Sequence, residues 1–156
     1  PASATPATPN SGDTSAIELG VQFRSDVSGF ITGIRFYKGT ANTGTHVGNL
    51  WSATGTSLAT ATFTNETASG WQQVNFASPV AITAGQTYVA SYHTDSGNYS
   101  VNGGYFASEV FSWPLRALSN AQAGGNGLYK YGPSGFPSGS FGASNYWVDV
   151  VFSQTP

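Results

Sequence analysis

The 156-residue sequence contains no cysteine. It therefore has no disulfide framework and no thiol chemistry. That absence is compatible with export, where a stray thiol is a liability, but does not establish it. Charge is almost as scarce. Five Lys and Arg stand against seven Asp and Glu, a formal net charge of −2, and charged residues make up 8% of the chain. An ordinary globular protein carries roughly 25%. So few cations cannot track a phosphate backbone, and nucleic acid is not expected as a partner. No apolar run approaches the roughly 20 residues that span a bilayer, so a membrane is not expected either. No segment sustains a 3.6-residue hydrophobic period; residues 114–123 have room for one helical turn.

What the chain does have is aromatic residues, 14% of the total, and 20 glycines. Disordered chains have few aromatics and more charge, so this composition argues for a folded all-β extracellular module. The length fits one domain with a real core. Residues 1–15, PASATPATPNSGDTS, read as a semi-extended linker with nothing to bury. No signal peptide is recognisable, and the opening reads like that of an excised module. The expected organisation is a linker at 1–15, a module at 16–153 and the start of a second linker at 154–156.

Strand signals dominate the module. In Phe30 to Phe63, Phe30, Thr32, Ile34 and Phe36 alternate with Ile31, Gly33, Arg35 and Tyr37. That is the period of two of a strand with one drier face. Turn residues at 39–44 and 54–56 separate it from candidate strands at 45–52 and 58–64, an antiparallel meander. Ile17 to Phe23, Trp71 to Phe76, Thr87 to Thr94, Tyr99 to Asn102 and Leu128 to Tyr131 read the same way. Pro79 to Ile82 reads as an edge piece, because Pro donates no ladder hydrogen bond. Trp147 to Phe152, WVDVVF, is apolar on both parities and is expected to be a central strand buried on both faces. About eight to ten short strands predict a two-sheet antiparallel β-sandwich, jelly-roll-like. Its expected core holds Phe23, Ile34, Phe36, Leu50, Phe63, Val74, Phe76, Val89 and Val150.

Residues 96–146 differ in texture, holding ten of the 20 glycines and ten of the 22 aromatics. Long loops in compact domains are usually functional or disordered, and this many rings argue against disorder. Sugars present flat apolar C–H faces edged by hydroxyls, which suit aromatic rings beside Asn, Glu or Arg. Tyr99, Asn102, Tyr105, Glu109, Phe111, Trp113 and Arg116 supply that mixture, and His93 completes the candidate ligand set. Trp113, between Ser112 and Pro114, is the best candidate for an exposed platform. Phe106, Phe136 and Phe141 are expected to form a mini-core under the loops.

Catalytic signatures are missing. The seven acids are scattered, with no pair marked as flanking one bond. There is no G-x-S-x-G elbow, no H-E-x-x-H and no phosphate loop, so an enzyme is not expected. Two further readings stay open. His46 and His93 offer imidazoles for a metal centre, or are unrelated polar side chains bonded to loop carbonyls. Glu18 on the first strand and Asp149 on the last occupy places where jelly-roll sugar-binding modules hold a structural calcium. The alternative for Asp149 is a salt bridge to Arg24, Arg35 or Lys38. The cluster Arg35, Tyr37 and Lys38 reads as an anion contact or as a solvated face.

The motifs ITGIRFYKG, GTHVGNLW, LATATFTNETASGWQQVNF, PVAITAGQTYVASYH and NYWVDVVF, in this order, resemble the bacterial family DUF4082 over roughly Ala16 to Ser153. The resemblance implies a module of large secreted bacterial proteins, often beside carbohydrate-active or immunoglobulin-like domains. It implies a context and no mechanism. Together the readings predict a secreted, noncatalytic, monomeric carbohydrate-binding module. Its expected partners are a polysaccharide and, through linkers, other domains of the same chain. The alternatives are a structural or adhesive spacer and a metal-dependent enzyme using His46 and His93.

Overall fold

The computed structural model describes residues 3–156. Its elements run β1 (Ile17–Ser25), β2 (Gly29–Lys38), β3 (His46–Ser52), β4 (Ser57–Thr62), β5 (Gly70–Ile82) and β6 (Tyr88–Thr94). A 3₁₀ turn (Tyr105–Ala107) follows, then β7 (Val110–Ser112), β8 (Leu115–Ala117), α1 (Asn120–Ala123), β9 (Leu128–Tyr131), β10 (Gly139–Ser140) and β11 (Val148–Ser153). The fold is an all-β sandwich of two antiparallel sheets, as the alternation predicts. One sheet runs β10-β9-β1-β6-β3-β4, with β8 also on β1 and β7 on β8; the other is β11-β2-β5. The helical turn expected within residues 114–123 is α1, held by a capping box between Ser119 and Gln122.

Strand parity places the core. Ile17, Leu19, Val21 and Phe23 of β1 face Ile34 and Phe36 of β2 and Val148 and Val150 of β11, all buried. Each such side chain contributes about 1.5–3 kcal/mol by leaving water. Gly48 leaves room for the facing side chains: a Cβ there would sit 3.0 Å from Ile34 and 3.1 Å from Phe63. Of the expected core, Val74 is half-buried at its edge. Val89 belongs to a second cluster on the outer face of the large sheet, with Trp51 and Leu128.

Three expectations need correction. β11 is an edge strand, not a central one. Val148 and Val150 are buried, but Asp149 and Val151 face outward, and Trp147 precedes the strand. Tyr99 to Asn102 is no regular strand; Val101 pairs with Thr8 and Asn102 with Asn145 as isolated bridges. The third concerns residues 3–15, which pack onto the domain instead of hanging free. Val101 N donates to Thr8 O at 2.9 Å, Ser11 N to Tyr99 O at 2.9 Å and Ser100 Oγ to Pro9 O at 2.9 Å, while Pro6 is buried. A Cβ on Gly39 would run into the Pro9 carbonyl. The segment has little apolar surface, but its backbone groups find partners that the sequence does not advertise. Pro79 sits as expected, inside β5 on the edge of the small sheet.

Candidate functional site

The hairpin β7–β8 docks on the C-terminal half of β1, pairing Phe23 with Ala117 and Ser25 with Leu115. Its two-residue turn carries Trp113, which is 65% exposed. The following Pro114 is buried, and its carbonyl accepts from Asp26 N at 2.8 Å, fixing the turn to the body of the sandwich. Phe111, on the far side of the hairpin, is also exposed, with the Arg116 guanidinium 4.3 Å from its ring centre.

Glu109 and Arg116 serve each other rather than an open cleft. Arg116 makes a two-pronged pair with Asp26, Nε to Oδ1 at 2.6 Å and Nη2 to Oδ2 at 2.8 Å. Its Nη1 reaches Glu109 at 2.6 Å, and Glu109 also accepts from Gln122 at 3.2 Å. The guanidinium beside Asp26 holds that carboxyl below the usual carboxylate range. These pairs brace the hairpin from behind, which is positioning work for Trp113.

On the other side of the hairpin, Ser112, Leu115 and Val110 border a cleft of about 150 Å³ between the sheets. Trp71, Tyr105 and Trp147 wall it, with Val21 and Val148 at its floor. Tyr105 is 39% exposed and leans on Trp147, ring centres 6.1 Å apart. Trp147 adopts φ 59°, a conformation that a bulky side chain rarely takes. Three bonds hold it there: its N–H donates to Asn145 Oδ1 at 2.7 Å, its indole N–H to Asn102 Oδ1 at 2.8 Å, and its carbonyl accepts from Tyr37 N at 3.0 Å. Strained backbone held by several groups is characteristic of functional sites. Asn102 is therefore a clamp on Trp147, and the same oxygen also accepts from Ala7 N at 2.9 Å.

Tyr99 lies apart from Trp113. It lines a second cleft, of about 300 Å³, with Tyr129, Tyr131, Phe141 and Tyr146. Of the three phenylalanines expected under the loops, Phe106 is buried and Phe136 packs on Trp51, but Phe141 is 73% exposed. Sequence reasoning gave Trp71, Trp147, Tyr131 and Phe141 no binding role. For Phe141 a signal existed: it stands between Ser140 and Gly142, in a run of turn residues.

His93 belongs to neither cleft. It sits on the outer face of the large sheet, with Nε2 3.0 Å from Asp95 and Nδ1 3.7 Å from Glu18. Nδ1 is buried without a hydrogen-bond partner among the described residues. Glu18 is fully buried and accepts from Asn49 at 2.9 Å, Ser91 at 2.5 Å and Ser134 at 2.8 Å. Asp149 pairs with Arg35 on the outer face of the small sheet. The two carboxylates thus lie on opposite outer faces, with both sheets between them, and do not fit one shared calcium ion. Packed sheets alone stand about 10 Å apart. The expected shared site at Glu18 and Asp149 is corrected to a hydrogen-bonded Glu18 and a salt-bridged Asp149. His46 and His93 do not converge either. Val47 is the register partner of His93, so His46 points to the opposite face of the same sheet, into the core beside Phe36. Among the described residues, no group of three or more His, Asp or Glu is placed to hold a metal ion. Lys38 turns from the expected cation cluster and binds Glu66 at 2.8 Å.

Fold and clefts together define a β-sandwich module with aromatic clefts on its flank. The chain belongs to the family described as the domain of unknown function DUF4082, whose match covers residues 3–148. That match takes in the docked N-terminal segment. No curated protein is matched.

Proposed function

We propose that this domain is a noncatalytic carbohydrate-binding module of a secreted multidomain protein. It holds an uncharged polysaccharide at the cleft walled by Trp71, Tyr105 and Trp147, beside the exposed Trp113 on the turn of the hairpin that borders it. The observation that carries this reading is Trp113 itself: a large apolar ring, 65% exposed, on a braced two-residue turn. Such a ring stands mostly in water in the free protein, and its turn already fixes its backbone, so less ordering entropy remains to be lost on binding. Rigid aromatic side chains over a concave apolar wall suit the C–H face of a sugar ring. Beside the hairpin one cation, Arg116, stands between two carboxylates, Asp26 and Glu109, and Asp149 on the cleft's lining is paired with Arg35, so the cleft offers no net attraction to an anion.

The test is retention on insoluble cellulose, xylan and chitin. The wild type should be retained on at least one, with little dependence on salt. Trp113→Ala should lose about 2 kcal/mol of binding, roughly thirtyfold, at an unchanged melting temperature. Equal retention of the folded variant would move the platform elsewhere. No retention of the wild type on any polysaccharide would leave a spacer domain as the better reading.

A further inference from the structure

The second cleft has a composition of its own. Tyr99, Tyr129, Tyr131, Tyr146 and Phe141 surround it, with Ile17 at its floor. Two of the rings, Tyr131 at 52% and Phe141 at 73% exposure, stand in water at its edge. The remaining rings are set edge-to-face, Tyr99 on Tyr146 at 5.6 Å and Tyr129 on Tyr131 at 5.7 Å. Asp13 is fixed there by the Tyr131 hydroxyl at 2.6 Å and by Ser15 N at 3.0 Å. Exposed rings gathered at one concave place call for an explanation that single surface residues do not. The lining carries no cation, so phosphate and carboxylate ligands find nothing to pair with. Phenol hydroxyls remain both donors and acceptors, which matches the two-way hydrogen bonding of a sugar hydroxyl. Burial pushes the Tyr146 phenol up to about 12, so it stays protonated at neutral pH.

Its placement relative to the first cleft is the second observation. β6 occupies one edge of β1; β9 and β8 share the other, β9 along residues 17–20 and β8 along residues 23–25. Ile17 floors the tyrosine cleft, whereas Val21 and Phe23 line the Trp113 cleft. Both therefore lie along the same face and the same edge of β1. Four to six strand residues separate them, about 13–20 Å at a rise near 3.3 Å per residue. Two ring-lined hollows in line along one strand suit an extended, repeating ligand better than a compact one.

We propose that the tyrosine cleft is a second saccharide subsite, and that the domain binds the interior of a linear, uncharged polysaccharide across both clefts rather than a chain end. The proposal rests on the saccharide reading of the Trp113 cleft. It assigns Phe141 and Tyr131 as the stacking rings and Asp13 and the inner tyrosine hydroxyls as the polar contacts.

Calorimetric titration with cello-, xylo- and chito-oligosaccharides of increasing length tests it. Affinity should rise with length until the ligand reaches both clefts, then level. Phe141→Ala and Tyr131→Ala should each weaken the long oligomers about tenfold and leave the shortest unaffected. Both are surface changes, so an unchanged melting temperature makes the comparison fair. Adding Trp113→Ala to Phe141→Ala should abolish binding. If the folded Phe141→Ala and Tyr131→Ala proteins bind long oligomers like the wild type while Trp113→Ala does not, the second subsite is overturned and the first stands. If the wild type binds no oligosaccharide or polysaccharide, both readings fall.

Discussion

Phe36 stacks on Tyr92 across the sandwich, ring centres 4.2 Å apart and planes 17° from parallel. One ring comes from the small sheet and the other from the large one, and both are fully buried. Phe63 meets the same Phe36 ring edge-on at 4.9 Å. Phe36→Ala would remove the piece that both sheets rest on. The expected cost is about 3–5 kcal/mol, read as a lower denaturant midpoint at constant slope. A loss below about 1 kcal/mol would mean that the sheets close over the gap and that the ring is no keystone.

The docked N-terminal segment supplies a second prediction. Its backbone bonds to Val101, Tyr99 and Ser100, and the Trp71 indole donates to Ala4 O at 3.0 Å. Each such bond adds about 0.5–1.5 kcal/mol net. A chain starting at residue 12 should melt several degrees lower than one starting at residue 1 and show altered tryptophan fluorescence from Trp71. Coincident melting curves would return the segment to the status of a linker.

The contrast between these two cases shows what was legible. Phe36 and its core partners announce themselves by alternation, because a period of two needs only side-chain type to be read. The segment at residues 3–15 is held by backbone groups, and backbone bonding leaves no mark on composition. The binding flank was half legible. Trp113 stood out because Pro114 and Ser112 mark a turn, and a turn has no core to enter. Glu109 and Arg116 were found as polar groups near it, but the pair that Arg116 makes with Asp26 joins residues 90 apart in sequence. Tyr99 was grouped with Trp113 by sequence proximity. They lie at opposite ends of β1, because β9 and β8 take different halves of its edge.

Glu18 bears on the metal question. Its carboxylate is filled by hydrogen bonds from Asn49, Ser91 and Ser134, and Asp149 is engaged by Arg35 on the other face. Adding a chelator should therefore leave the melting temperature unmoved. Glu18→Ala should be strongly destabilising instead, because it strands buried donors, at about 1–3 kcal/mol for each one left unpaired. A melting temperature that falls with chelator and recovers with calcium would restore an ion to this protein.

His46 makes stability depend on pH, with a defined sign. The ring is fully buried, 4.8 Å from Phe36, with Nδ1 2.8 Å from the Glu66 carboxylate and Nε2 2.8 Å from Asn42 Oδ1. Burial lowers its affinity for a second proton; Glu66 pulls the other way, and Lys38, 2.8 Å from the same carboxylate, offsets part of that pull. The balance places the folded value below the ordinary histidine value of about 6.5. Above that pH the neutral ring is present in folded and unfolded chains alike, and its contribution is complete. As the pH falls through about 6.5, the unfolded chain takes up the proton first, so stability drops until the folded value is reached. Urea midpoints should therefore hold from about pH 8 to about pH 7 and decline as the pH falls through about 6.5 toward about 5. His46→Gln, less stable throughout, should show a flatter profile over that interval. Parallel profiles for the two proteins would assign the acid sensitivity to another group.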